Sequence, residues 1–265
     1  MAIRVIIAGA TGWTGSALVK GVLGASDMEL VGAVARTSAG QDVGAAVGLK
    51  PVGLAISASL EDALMKPCDV VVDYTKPNVV KQHALATIGK GVAFVVGTSG
   101  LSAKDYAEID SAAKAKGVGV FAAGNFSITA TLLAKFAVMA AKYIPDVEVV
   151  DYASAGKPDV PSGTARELAE RLSATRRPAT SRPVAELAGP KETRGATIGE
   201  VQVHSLRMPG FVLSCEAVFG APDERLLIRH DAGSSAEPYV SGTLLAIRRV
   251  RDKPGLRRGL DQLIE

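Results

Sequence analysis

Apolar positions along the chain follow two different rhythms. Up to about residue 127, continuous runs rich in β-branched residues alternate with stretches of helical spacing. Residues 3–8, 29–35, 69–74, 92–96 and 118–122 read as strands. Residues 16–23, 61–66 and 78–89, and a helix capped by Ser102 and running to 115, read as the helices between them, with 40–54 as loop. Strands with no polar alternation are buried on both faces. The pattern therefore predicts a parallel sheet with helices on each side and ligand-facing loops at the strand carboxyl ends.

Beyond Ser127 the rhythm changes. A helix over 128–143 stops at Pro145, a strand covers 146–152, and a second helix starts near Ser162 and runs to 173. Three runs, 201–207, 211–219 and 224–230, are joined by short turns at 208–210 and 220–223 and read as an antiparallel sheet, which makes this half α+β. Residues 176–195, rich in Pro, Arg, Thr and Gly, read as a mobile surface loop. A closing helix over 239–250 is followed by a tail from Pro254 that returns to the first domain.

Composition narrows the function without naming it. With 265 residues, 48% of them hydrophobic, there is material for two ordinary cores. Thirty basic against 27 acidic residues give a net charge of +3, and the basic clusters at Arg176-Arg177 and Arg248-Arg249 are short, so no nucleic-acid partner is expected. Cys68 and Cys215 lie in apolar runs without metal or disulfide spacing and read as buried thiols in a reducing compartment. No apolar run reaches the ~18 residues of a membrane span, and residues 1–8 are too short for a secretory core. A cytoplasmic protein without metal or membrane partner is the expectation.

Candidate chemistry collects at the ends of the expected strands. Gly9-Ala10-Thr11-Gly12-Trp13-Thr14-Gly15 links the first strand to the first helix, where bare backbone lies against a diphosphate and the helix amino end supplies N–H donors; an ordinary tight turn is the alternative. After the second strand stands Arg36, followed by two hydroxyl residues, where an NAD site usually carries an acid. This favours NADPH over NADH, although an exposed loop arginine reads the same way. Small or polar residues also end the later strands, at Thr75-Lys76-Pro77, Gly97-Thr98-Ser99-Gly100 and Ala123-Gly124-Asn125-Phe126-Ser127. His83 is expected on a helix surface. In the second half, Lys157 stands just ahead of Ser162-Gly163-Thr164, which open a helix. An ammonium next to unpaired helix N–H groups suits a carboxylate or phosphate, and a plain capped loop is the alternative.

The combination of G-A-T-G-W-T-G at Gly9, V-D-Y-T-x-P at Val72, G-T-S-G at Gly97, A-G-N-F-S at Ala123, K-x-D-x-P-S-G-T-A at Lys157 and I-R-H-D at Ile228 resembles the bacterial dihydrodipicolinate reductase family, the DapB-type 4-hydroxy-tetrahydrodipicolinate reductases of lysine and diaminopimelate synthesis. The resemblance runs through essentially the whole chain. It implies an α/β fold with a Rossmann-like parallel-sheet domain, residues 1–127 and 236–265. A hinge would join this to an α+β substrate and oligomerisation domain, 128–235, whose mixed or antiparallel sheet assembles a homotetramer. It further implies that Gly9, Ala10, Thr11, Gly12, Trp13, Thr14, Arg36, Gly97, Thr98, Ser99, Ala123, Gly124, Asn125 and Phe126 line the site for NADPH, with NADH possible. Ser154, Lys157, Ser162, Gly163 and Thr164 would hold a small carboxylate substrate, with Lys157 catalytic.

One position departs from the resemblance. The family carries a histidine pair four and three residues before the lysine, the first donating a proton; this chain has Ala153 and Ser154. Loss of a general acid costs roughly 10²–10⁴ in rate. Three readings remain open: the family reaction with another proton donor, such as water, Lys157 or a group from 176–195; reduction of a different carboxylate-bearing C=N or C=C compound; or a catalytically silent dinucleotide-binding protein.

Overall fold

The structure, a computed structural model, describes residues 1–178 and 182–264. In chain order its first elements are β1 (Ile3–Ala8), α1 (Trp13–Gly24), β2 (Met28–Val34), α2 (Val43–Ala46), α3 (Leu60–Ala63), β3 (Val70–Asp73), α4 (Pro77–Gly89), β4 (Ala93–Val96), α5 (Ala103–Lys116) and β5 (Gly119–Ala122). Then come α6 (Ile128–Ala141), β6 (Asp146–Ala153), α7 (Gly163–Thr175), β7 (Ala196–Ile198), β8 (Val201–Arg207), β9 (Leu213–Ala221), β10 (Glu224–Ala232), α8 (Pro238–Arg249) and β11 (Gly255–Arg258). They form two compact units, Met1–Ile128 with Ala236–Glu265, and Thr129–Ser235.

The first unit is built on a six-stranded sheet of order β11-β5-β4-β3-β1-β2, with every pair parallel. Alternate side chains of each strand serve opposite cores. Val5 and Ile7 of β1 join Leu18, Val19 and Val22 of α1 and Ala246 and Ile247 of α8. Ile6 and Ala8 join Val80, Ala84 and Ile88 of α4 and Ile109 and Ala113 of α5. This two-sided burial is why the strands read as unbroken apolar runs. Five strands were expected, and the sixth comes from the tail. β11 pairs with β5, and its four residues G-L-R-R carry too little apolar pattern to announce a strand. The expected loop over 40–54 contains the short helix α2, held by Asp42, whose carboxylate accepts from the N–H groups of Ala45, Val52 and Gly53.

In the second unit the strand order is β10-β9-β6-β8-β7. The sheet is mixed, since β6 pairs antiparallel with β9 and parallel with β8. The expected succession of antiparallel hairpins therefore holds only for β9 and β10, because β6 inserts between β8 and β9. Helices α6 and α7 cover one face, where Leu133, Ala137, Leu168 and Leu172 pack on Val147, Val149, Val203 and Phe219. Of the expected loop 176–195, residues 179–181 lie outside the described residues. Two single turns, Val184–Glu186 and Lys191–Arg194, form within the remainder.

Candidate functional site

In the first unit, sheet order reverses between β1 and β3, and ligands of such sheets bind beyond the strand carboxyl ends at that reversal. The chain there is forced into a tight shape. Gly9 has φ of +83°, and a β-carbon on it would stand 2.4 Å from the Tyr74 carbonyl oxygen. One on Gly15 would lie 1.9 Å from the Gly9 oxygen. Gly12 caps α1 without any side-chain acceptor, so the first N–H groups of that helix stay available. Beside this turn opens a cleft of about 500 Å³, lined by Gly9, Thr11, Gly12, Arg36, Lys76 and His83 among others. Bare backbone, a helix amino end and three basic side chains fit a phosphate-bearing dinucleotide.

A buried carboxylate underlies the cleft. Asp73, fully buried at the end of β3, accepts on Oδ1 from the Thr75 N–H at 2.8 Å, the Thr75 hydroxyl at 2.6 Å and the Thr98 hydroxyl at 2.8 Å. Its Oδ2 lies 2.7 Å from Nδ1 of His83. Next to it, the Tyr74 hydroxyl meets Thr243 at 2.7 Å, its ring stands edge-on to Phe126, and burial pushes the phenol pKa upward.

In the second unit β6 runs into residues 154–161 and then α7. Ser162 caps α7, its hydroxyl oxygen accepting from the Ala165 N–H at 3.3 Å. Both donors of Ser162 are turned inward to the fully buried Asp151, the N–H at 2.9 Å and the hydroxyl at 2.7 Å. The guanidinium of Arg207 completes this centre, donating to Asp151 at 2.7 Å and to the carbonyl of Asp159 at 2.7 Å, so the loop is tied down from beneath. On the loop, Lys157 pairs with Asp159 at 2.7 Å, and that hydrogen bond holds the Asp159 carboxyl below the usual range. Ala153 is fully buried, while Ser154 is exposed.

The chain matches the family model "Dihydrodipicolinate reductase, N-terminus" over residues 3–126 and "Dihydrodipicolinate reductase, C-terminus" over 129–264. It belongs to the dihydrodipicolinate reductase family. Relatives named 4-hydroxy-tetrahydrodipicolinate reductase include one from Desulfitobacterium hafniense, 38% identical with 99% of each chain covered, and one from Moorella thermoacetica, 39% identical with 99% of this chain and 98% of that one covered. The solved structure of dipicolinate-bound dihydrodipicolinate reductase from Paenisporosarcina sp. TG-14 superposes with a TM-score of 0.89 over the whole of both chains at 30% identity. An amine dehydrogenase from Mycobacterium smegmatis, with a TM-score of 0.68, 19% identity and 98% and 96% of the two chains covered, shares the fold. Dihydrodipicolinate reductases are NAD(P)H-dependent oxidoreductases, and this chain has both halves of that architecture.

The residues expected at the family's cofactor site divide by what their side chains do. Gly9, Thr11, Gly12 and Arg36 line the cleft. Ala10 is buried under the turn, Trp13 is exposed with its ring edge-on to Tyr239 at 5.8 Å, and Thr14 is half-buried. Thr98 spends its hydroxyl on Asp73, leaving Gly97 and Ser99 as its more open neighbours. Asn125 accepts from the Ser127 N–H at 2.8 Å, Phe126 is core, and Ala123 and Gly124 are more exposed. In the second unit Ser162 holds the loop in place, whereas Gly163 and Thr164 begin α7, where N–H groups have no partner within the helix. Sequence reasoning placed Thr75-Lys76-Pro77 at a ligand-facing strand end, but missed His83 as a cleft residue and Asp73, Asp151 and Arg207 as the groups beneath. His83 is not a helix-surface histidine: its side chain is only 15% exposed and is bound to Asp73. Asp73-Tyr74-Thr75 did carry a signal, because an aspartate can close a turn on the backbone N–H two residues on, as Asp73 does with Thr75.

Proposed function

We propose that this chain is an NADPH-preferring reductase that transfers hydride to the C=N or C=C bond of a small dicarboxylate, in the manner of its relatives but without an imidazole donor. The first unit, 1–127 with 236–265, holds the dinucleotide through the residues expected for it, from Gly9 to Thr14, Arg36, Gly97 to Ser99 and Ala123 to Phe126. The second unit, 128–235, holds the acid. Lys157 with the N–H groups of Gly163 and Thr164 takes a substrate carboxylate, Ser154 lies at the loop entrance, and Ser162 keeps the cap closed on Asp151. The bound nicotinamide supplies hydride. Lys157, kept beside Asp159, supplies the proton that the neighbouring substrate atom gains, and recovers it from water.

The observation that carries this reading is the Lys157 loop itself. An ammonium stands immediately before an open helix end, while a fully buried Ala153 and a serine occupy the two positions from which the family would present histidines. Steady-state oxidation of NADPH with dihydrodipicolinate tests it. Turnover is expected below that of a relative with the histidine pair by less than the roughly 10²–10⁴ that a general acid contributes, because Lys157 takes over part of that role. Tight NADPH and dicarboxylate binding with no turnover on this or related cyclic imino acids would instead leave a silent binding protein.

A homotetramer is part of the same proposal. The face of the second sheet opposite α6 and α7 carries Tyr152, its ring tilted against Phe211 at 5.1 Å and with the Arg229 guanidinium over it at 4.6 Å, together with the exposed Leu227, a mixture suited to burial against copies of itself. Light scattering that reports a monomer at micromolar concentration would end it. Among the described residues no helix is long and apolar enough to cross a membrane, and the proposed setting is the cytoplasm.

A further inference from the structure

The second unit has a cavity that the reaction leaves without a task. It measures about 520 Å³, the size of many small-molecule sites, and lies between the Asp146 end of β6 and residues 182–194. Lys157 follows the other end of that strand. Seven residues of extended chain, roughly 23 Å, separate Asp146 from Ala153, so the cavity is apart from the substrate loop. Its charges are unevenly used. Among the described residues three carboxylates, of Asp146, Glu148 and Glu200, and two guanidiniums, of Arg182 and Arg194, line it. Arg194 is engaged by Glu148, whose other oxygen lies 2.6 Å from Nε2 of His204, and Gln202 holds the Arg194 carbonyl at 2.7 Å, so this wall is fixed. Glu200 meets Arg177 at 3.1 Å. That leaves the half-buried Asp146 and the exposed Arg182 on one cavity, neither with a side-chain partner among the described residues.

We propose that this cavity binds a basic α-amino acid, with the carboxylate on Arg182 and the side-chain ammonium on Asp146. A carboxylate held half out of water without a partner is unfavourable, and an ammonium offsets it. An open guanidinium suits a carboxylate, which it grips through two parallel N–H groups. Three acids against two guanidiniums leave one negative charge in excess. An amino acid with one carboxylate and two ammonium groups carries the single positive charge that balances it. Val147, Val218 and Leu187 give the methylene stem between those ends an apolar wall. A plain dicarboxylate, the class proposed for the Lys157 loop, would add charge of the wrong sign here, so the two sites select different molecules.

Isothermal titration of the full chain with L-lysine tests the proposal. L-norleucine, which lacks the side-chain ammonium, and cadaverine, which lacks the carboxylate, serve as comparisons. Each should bind about tenfold or more weakly than L-lysine, because each gives up one charge-assisted contact. Arg182→Gln should weaken L-lysine about tenfold and leave cadaverine unchanged, whereas Asp146→Asn should weaken both and leave L-norleucine unchanged. Absence of binding at millimolar L-lysine, equal affinity for L-lysine and L-norleucine, or unchanged L-lysine affinity in both variants would overturn it. Saturation with dipicolinate should leave the L-lysine constant as it was. Mutual exclusion of the two would place L-lysine on the Lys157 loop, which would overturn the cavity assignment while leaving the reductase reading intact.

Discussion

Each unit buries an aspartate beneath the loop proposed to take an anion, and the two are compensated by different chemistry. Asp73 is satisfied by two threonines, a backbone N–H and an imidazole. Asp151 is satisfied by Ser162, Ser205 and the guanidinium of Arg207, which keeps its charge at any working pH. The first arrangement sets an imidazole at the edge of a cleft; the second fixes a loop. A fold can thus use one device, a buried carboxylate gathering a loop, either to set a cleft side chain or to anchor a loop.

The comparison breaks most visibly if the anchor is cut. Arg207→Met leaves the Asp151 charge buried without its counter-charge, a defect that costs about 3–5 kcal/mol. Urea unfolding should register that loss, and the Asp159 carbonyl would lose its tie at the same time. His83→Asn should cost no more than about 1–2 kcal/mol by the same measurement, because hydrogen-bond donors to Asp73 remain. Equal losses would mean that the two centres are mechanically alike.

Ligand binding sharpens the contrast next. Lys157→Ala removes a charge-assisted hydrogen bond to a carboxylate, so the dissociation constant of dipicolinate should rise about 10- to 100-fold while NADPH binding is unaffected. Unchanged dipicolinate affinity would remove Lys157 from the site. Arg36→Ala makes the reciprocal case: NADPH should weaken about 10- to 30-fold, with NADH nearly unmoved. If both nucleotides weakened together, Arg36 would be serving the diphosphate and not the ribose.

How much of this could be read in advance follows from what is local. The parallel sheet was legible because burial on both faces writes a run such as Val70-Val71-Val72 directly into the chain, and α7 because Ser162 stands at its cap. The position of β6 between β8 and β9 was not, since strand order is settled by pairings dozens of residues apart and neighbouring strands joined by a five-residue link, 208–212, read most simply as a hairpin. The candidate site was legible where function demands bare backbone, at Gly9 and Gly12, or a charge beside a cap, at Lys157. Its supports were not. Arg207 sits 56 positions from Asp151 in the chain, and nothing near either residue marks the other. His83 falls within helical spacing that points it to solvent unless one knows that Asp73 waits beneath.

The smallest expected effect tests the anchored side most finely. Lys157 is held by Asp159, so a substrate carboxylate must share the ammonium with it. Asp159→Asn should therefore tighten dipicolinate binding by about two- to threefold, the scale of an exposed ion pair. A shift of pH cannot imitate this substitution. The Asp159 carboxyl is held below its ordinary value of about 3.9, so the pair is fully formed above that value and is lost only as pH falls through the lower, folded one. Weaker binding in Asp159→Asn, measured at neutral pH, would give Asp159 the opposite role: it would be aiming Lys157 at the ligand, and the loop would depend on that pair as well as on the tie from Arg207.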